Sequence, residues 1–208
     1  MKSYRLSAFS VVFLYSEPIK GVDISDIKKA LNLSGVEKVA LFDAGGIAGG
    51  IGAGFLMFDD QKRIFFEINR ILFSDGKVQD NNLSNLEKYI NPLLVAINGL
   101  PLKAYGFNYD IAVDCEADNY WQDFLSKDVE KIIKDQKVDS FGIKLALSGD
   151  TGKCRIDISS AEGGEKKSLL IKLNDHRETN IVPNSNVLLE QAQKGLESLI
   201  ELIKPILK

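Results

Sequence analysis

The chain reads as an α+β protein of two similar βαβββα halves, an antiparallel sheet with helices packed on one face. Two observations predict this. Apolar runs of strand length alternate with segments whose apolar residues recur at helical spacing. The order of these elements over residues 1–100 then returns over residues 101–208, so the chain divides into an N-terminal and a C-terminal half that form one compact unit.

In the first half, Tyr4 to Tyr15 is a strand rich in Phe, Val and Leu, ended by Pro18 and Gly21. Asp23 or Ser25 caps a short helix carrying Ile24, Ile27, Ala30 and Leu31 on its apolar side. Val36 to Phe42 is a second strand. Phe55 to Phe58 and Arg63 to Phe73 flank Asp59-Asp60-Gln61-Lys62 and form a hairpin. Ser84 and Glu87 make a capping box for a helix bearing Leu86, Ile90, Leu93, Leu94 and Ile97. Pro92 kinks that helix or delays its start, and Asn98-Gly99-Leu100-Pro101 stops it.

The second half follows the same plan. Leu102 to Val113 is a strand, and Trp121, Phe124, Leu125, Val129, Ile132 and Ile133 form one face of a helix. Phe141 to Leu147 and Lys153 to Ile158 pair around Gly149-Asp150-Thr151-Gly152, a hairpin turn despite its likeness to a phosphate loop. Leu169 to Leu173 is a strand. The last helix starts near Asn186 and loses regularity at Pro205. Local matches join the halves: Leu6-Ser7-Ala8-Phe9 with Leu102-Lys103-Ala104-Tyr105, at an offset of 96, and Phe66-Glu67-Ile68-Asn69 with Ile171-Lys172-Leu173-Asn174, at 105.

An Asn-bearing strand from Ile64 to Ile71, a helix, and then Ala104-Tyr105-Gly106-Phe107-Asn108-Tyr109-Asp110 resemble a sporadic family of uncharacterised prokaryotic proteins with a Gly-x-Arg-Tyr-type central strand. The resemblance covers the middle of the chain, and Asn108 stands where that family often has Arg. It implies a two-lobed fold without a known activity. The element order is also similar to the TATA-binding-protein fold and, more loosely, to the SecB-type fold, as topology alone.

Composition bounds the function. A net charge of −3 gives no footprint for nucleic acid, and residues 1–100 balance 11 basic against 11 acidic side chains. Nucleic acid is therefore not an expected partner. No apolar run is long enough to cross a bilayer, so no membrane is expected either, and Ala8 to Tyr15 reads as a buried strand and not as a leader. Two cysteines, Cys115 and Cys154, fit a reduced cytoplasmic chain.

Several motifs have to be weighed. Gly45, Gly46, Gly49 and Gly50 lie in a glycine stretch whose amides could cradle an anion, but no Gly-Lys-Ser/Thr follows and a loop is the plainer reading. With Asn108 and Tyr109, from the strand that carries the resemblance, they form the candidate ligand-binding set. Asp110, Asp114, Glu116 and Asp118 make an acidic ladder that reads as solvated strand-end carboxylates, not a metal site. His176 is the only histidine and reads as a surface residue after a strand, which removes His-based metal clusters. Lys127, Lys131 and Lys134 mingle with acids on a solvated helix face, and Tyr120, Trp121 and Phe124 beside them read as core.

No nucleophile–base set, metal cluster or cofactor fingerprint is legible, so neither catalytic residues nor cofactors are expected. The expected function is a non-enzymatic binding or interaction module acting through an open sheet face or edge, with a protein partner or its own copy. A nucleic-acid saddle, or a small-molecule pocket under the glycine stretch, is the alternative. Strands apolar on both alternations, as Phe9, Val11 and Phe13 against Ala8, Val12 and Leu14, motivate the choice.

Overall fold

The computed structural model describes residues 3–19, 22–43, 54–59, 61–78, 83, 86–114, 142–149, 152–161 and 168–207. In chain order the elements are β1 (Tyr4–Tyr15), α1 (Ile24–Leu33), β2 (Ala40–Asp43), β3 (Gly54–Phe58), β4 (Lys62–Glu67), β5 (Arg70–Asp75) and α2 (Leu86–Ala96). They continue with β6 (Leu102–Asp114), β7 (Gly142–Gly149), β8 (Gly152–Ala161), β9 (Ser168–Glu178) and α3 (Ser185–Leu207). The nine strands form one antiparallel sheet in the order β2-β3-β4-β5-β1-β6-β9-β8-β7.

β1 and β6 sit together near the middle of the sheet. Phe9 pairs with Tyr109, Val11 with Phe107 and Phe13 with Tyr105. The offset of 96 that aligns Leu6–Phe9 with Leu102–Tyr105 also carries Val11 onto Phe107 and Phe13 onto Tyr109. The antiparallel pairing sets Val11 opposite Phe107, two residues that this offset also relates. Outward from them, β5 flanks β1 and β9 flanks β6.

Alternation explains the layering. Leu6, Phe9, Val11 and Phe13 of β1 are buried, as are Leu56, Ile64, Phe66, Ile71 and Phe73 of the next strands and Phe107, Tyr109, Ile111 and Val113 of β6. Ile27 and Leu31 of α1, Ile90 and Leu93 of α2, and Leu188, Ala192, Leu196 and Leu199 of α3 close one core with them. The helices lie on one face because their apolar stripes are the only described surfaces long enough to cover that row. Asp23 is the N-cap of α1, its carboxylate accepting from the Ser25 amide at 2.7 Å. That bond holds the Asp23 carboxyl below the ordinary carboxylate range.

Three sequence expectations need correction. The run Arg63–Phe73 is two strands, β4 and β5, joined by a turn at Ile68-Asn69, so the first half is βαββββα. Aromatic and β-branched residues continue through the turn and hide it, and pairing of Glu67 with Arg70 closes it. The match of Phe66–Asn69 with Ile171–Asn174 therefore joins unlike positions: the first ends β4, while the second lies in β9, beside β6. β9 also runs on to Glu178, so His176 is within the strand, half-buried. Two smaller differences follow. β2 is confined to Ala40–Asp43, although Val36 and Val39 before it are buried, and α3 continues through Pro205 to Leu207.

The other elements agree with the sequence reading. Gly149 pairs with Gly152 at the β7–β8 turn, and Gly99 takes a φ of +82° after α2, the left-handed stop expected there. Pro92 lies inside α2 and is buried. The helix expected around Trp121–Ile133, with Lys127, Lys131 and Lys134, and the cap Ser84 lie outside the described residues.

α3 sits against β6 through one close approach. Tyr109 is fully buried, and its hydroxyl donates to the Ala192 carbonyl at 2.7 Å. A Cβ on Gly195 would lie 2.5 Å from that hydroxyl oxygen and 3.2 Å from the ring carbon bearing it. The ring cannot retreat, because Phe9 stands 5.3 Å from its centroid and Phe107 6.4 Å. Gly195→Ala should therefore destabilise the fold by about 1–3 kcal/mol, where helix propensity alone would stabilise it by roughly 1 kcal/mol. Denaturant melts of Gly195→Ala, Tyr109→Phe and the double variant check this. The two changes should be less than additive, since removing the hydroxyl relieves part of the clash.

Candidate functional site

Two surfaces gather polar or aromatic side chains in ways the core does not require. The first is the sheet face opposite the helices. Reading across the strands by register, Phe42 of β2, Phe55 of β3, Phe65 of β4, Leu72 of β5 and Val12 of β1 lie side by side. Phe42 and Phe55 stack at 4.6 Å and 13°, and Phe55 meets Phe65 at 5.6 Å. Phe42 is 44% exposed and the others are half-buried. The neighbouring row on that face is Met57, Arg63, Ser74, Ser10, Asn108, Asn174 and Arg155.

That second row is bonded across the centre of the sheet. The Asn174 side-chain amide donates to the Asn108 carbonyl oxygen, and the Asn108 amide donates to Ser10 Oγ at 2.9 Å. Arg63 stands on one side of these amides and Arg155 on the other, both exposed. Further along β6, Asp110 meets Lys172 at 3.6 Å. Apolar side chains thus dominate the β2–β1 part of this face, and amides and charges dominate the β6–β7 part.

The second surface lies under α3. Arg177 bridges to Asp175 at 2.9 Å, with its guanidinium 5.7 Å from the Phe107 ring centre. Tyr105, paired with Arg177 in register, donates to Gln191 of α3. Cys154 pairs with Asp175 in register, and burial together with that carboxylate pushes its thiol up. A raised thiol holds less thiolate at neutral pH, the opposite of an activated nucleophile. This cluster is an ion pair packed under a helix.

A comparable arrangement lies under α2, where Tyr89 donates to Asp59 at 2.7 Å and Lys62 meets Asp75 at 3.5 Å. Lys62 also lies 5.2 Å from the Tyr89 ring centre. No group of three or more His, Cys, Asp and Glu side chains able to hold a metal occurs among the described residues. Tyrosines apart, no polar or charged residue is buried among them either. No helix among them is long and apolar enough to cross a membrane.

The sequence-derived candidates are dispersed. Asn108 faces the open side within the amide row, whereas Tyr109 points into the core and bonds α3, so the two do not share a site. Gly45, Gly46, Gly49 and Gly50 lie outside the described residues, as do Glu116 and Asp118 of the acidic ladder. Asp110 is paired with Lys172, and Asp114 accepts from Ser3 at 2.8 Å. The phenyl row escaped the sequence reading because Phe42, Phe55 and Phe65 become neighbours only once the strand register is known. A scan of family models and searches of curated proteins and solved structures each return no match.

Four tyrosines give the site a measurable alkaline signature. Burial raises Tyr15, Tyr89, Tyr105 and Tyr109 above the ordinary tyrosine value of 10.0, helped at Tyr89 by the Asp59 carboxylate. The neutral phenol is the form the fold favours. Its stabilisation is complete below pH 10 and is lost as pH rises from there towards the raised folded values. Melting temperature should fall above pH 10, and the phenolate absorbance of these residues should appear together with the loss of near-ultraviolet circular dichroism. Ionisation of all four in a still-folded protein would contradict their placement.

Proposed function

We propose that this protein is a non-enzymatic protein-interaction module that works through the open face of its sheet. The observation that carries the reading is the phenyl row Phe42–Phe55–Phe65, continued by Leu72 and Val12, on the face opposite the helices. A core needs one alternation of each strand, and the helices already cover it. Aromatic residues on the second alternation are then left for contact with another molecule.

The same proposal takes the chain as two related halves, supported by the pairing of Val11 with Phe107, which the offset of 96 also relates. The suggested kinship with a two-lobed prokaryotic family belongs to it as well. The nucleic-acid alternative loses ground, because Lys172 is matched by Asp110 and Arg70 by Glu67 on the face that would carry the saddle.

An environment-sensitive hydrophobic dye tests the reading. The parent protein should raise its fluorescence at micromolar concentration. Phe55→Ser combined with Phe65→Ser should remove most of that signal while the far-ultraviolet circular dichroism stays unchanged. A parent that binds no dye and sediments as a monomer from 1 to about 100 μM, where contacts of ordinary size associate, would mean that the face is already covered, and the proposal would fall.

A further inference from the structure

Resting on that reading, we infer that the occupant of the open face is an amphipathic helix with an acidic edge, supplied by a partner protein and lying along the phenyl row. Two features of the face select this occupant: the shape of the apolar surface and the charges beside it.

Shape comes first. At β4 and β5 the apolar surface is one residue wide. Phe65 has Arg63 on one side and Glu67 on the other along β4, and Leu72 has Ser74 and Arg70 beside it along β5. Side chains on one face of a strand recur about every 7 Å, and strands lie about 4.8 Å apart. The stripe from Phe42 to Val12 crosses five strands, so it is about 19 Å long; it is about 7 Å wide at β4 and β5 and broadens at β3 with Met57 and at β1 with Leu14. Arg63, Glu67 and Arg70 stand along β4 and β5 on both sides of the stripe, so a second sheet laid flat on this face would meet charge beside it. A helix fits it better, because its apolar stripe is similarly narrow, and 19 Å corresponds to about thirteen residues.

Charge then sets the polarity of the helix edge. Of the charged side chains bordering the stripe, Arg70 is neutralised by Glu67. Arg63 is exposed and has no ion-pair partner among the described residues. Beyond it the same row continues as Ser74, Ser10 and Asn108, which offer hydroxyl and amide groups without negative charge. A helix seated on the phenyl row presents one edge to this row. An Asp- or Glu-bearing edge meets Arg63 there, and a Lys-bearing edge meets it with like charge.

The test uses stapled, fluorescent fourteen-residue helical peptides with one leucine stripe and either a glutamate or a lysine edge, titrated at low salt against the full chain. The glutamate-edged peptide should bind about fivefold more tightly than the lysine-edged one, the weight of a single exposed ion pair. Arg63→Glu should reverse the preference, and Phe55→Ser should abolish binding of both; Phe65→Gln serves if Phe55→Ser does not fold. Equal affinity for the two edges, or binding that survives Phe55→Ser and Phe65→Gln, overturns the inference. So does a parent dimer, seen by sedimentation, that Phe55→Ser dissociates, because a second copy then holds the face. In each of these cases dye binding that depends on Phe55 and Phe65 leaves the interaction reading standing, whereas loss of dye binding to the parent removes both.

Discussion

The antiparallel pairing of β1 with β6 brings the N-terminal strand against a strand from the middle of the chain, and the other contacts are arranged around it. Tyr4 to Tyr15 has β5 on one side and β6 on the other, so β1 has no free edge over most of its length. The seam puts Phe9, Phe107 and Tyr109 in mutual contact, and these rings are the floor on which α3 rests. Were β6 to slip by one residue against β1, Asn108 would turn into the core and Phe107 out of it. The hydrogen bond from Asn108 to Ser10 resists such a slip from the open side, while the Tyr109 hydroxyl resists it from the helix side.

The remaining strands lie outward from this seam on either side. β5, β4, β3 and β2 run outward from β1, and β9, β8 and β7 run outward from β6. Side-chain chemistry then differentiates the two wings on the open face: phenyl rings on one, amides and ion pairs on the other. Both wings need the same apolar alternation beneath, because both are roofed by helices. The open face is where the two wings differ.

Much of this was legible in the sequence, for identifiable reasons. β1 and β6 are long and apolar, and the helix faces of Ile27–Leu31 and Leu188–Leu199 follow a clean period. Gly99 and the Gly149–Gly152 turn carry their own backbone chemistry. The turn at Ile68-Asn69 was hidden because Ile is a strand residue by preference and its side chain there is 53% exposed. The length of β9 was hidden by Asn174, Asp175 and His176, polar residues that look like a loop but pair with Arg155, Cys154 and Lys153. The site was least legible of all. Neighbours across a sheet are far apart in sequence, and Asn108 and Tyr109, adjacent in sequence, belong to opposite faces.

The seam also sets the order in which the chain becomes whole during synthesis. β1 leaves the ribosome before β6, and β5 can join it once the first wing is made, but its other edge waits for β6. At about 5–20 residues per second that interval lasts seconds, ample for strand pairing. Throughout it the nascent chain displays an unpaired edge running from Tyr4 to Tyr15, whose complement in the finished molecule is β6. Two neighbouring nascent chains on one messenger expose identical edges of this kind at the same time. Crowded translation is thus the setting in which this fold is most vulnerable to joining the wrong partner.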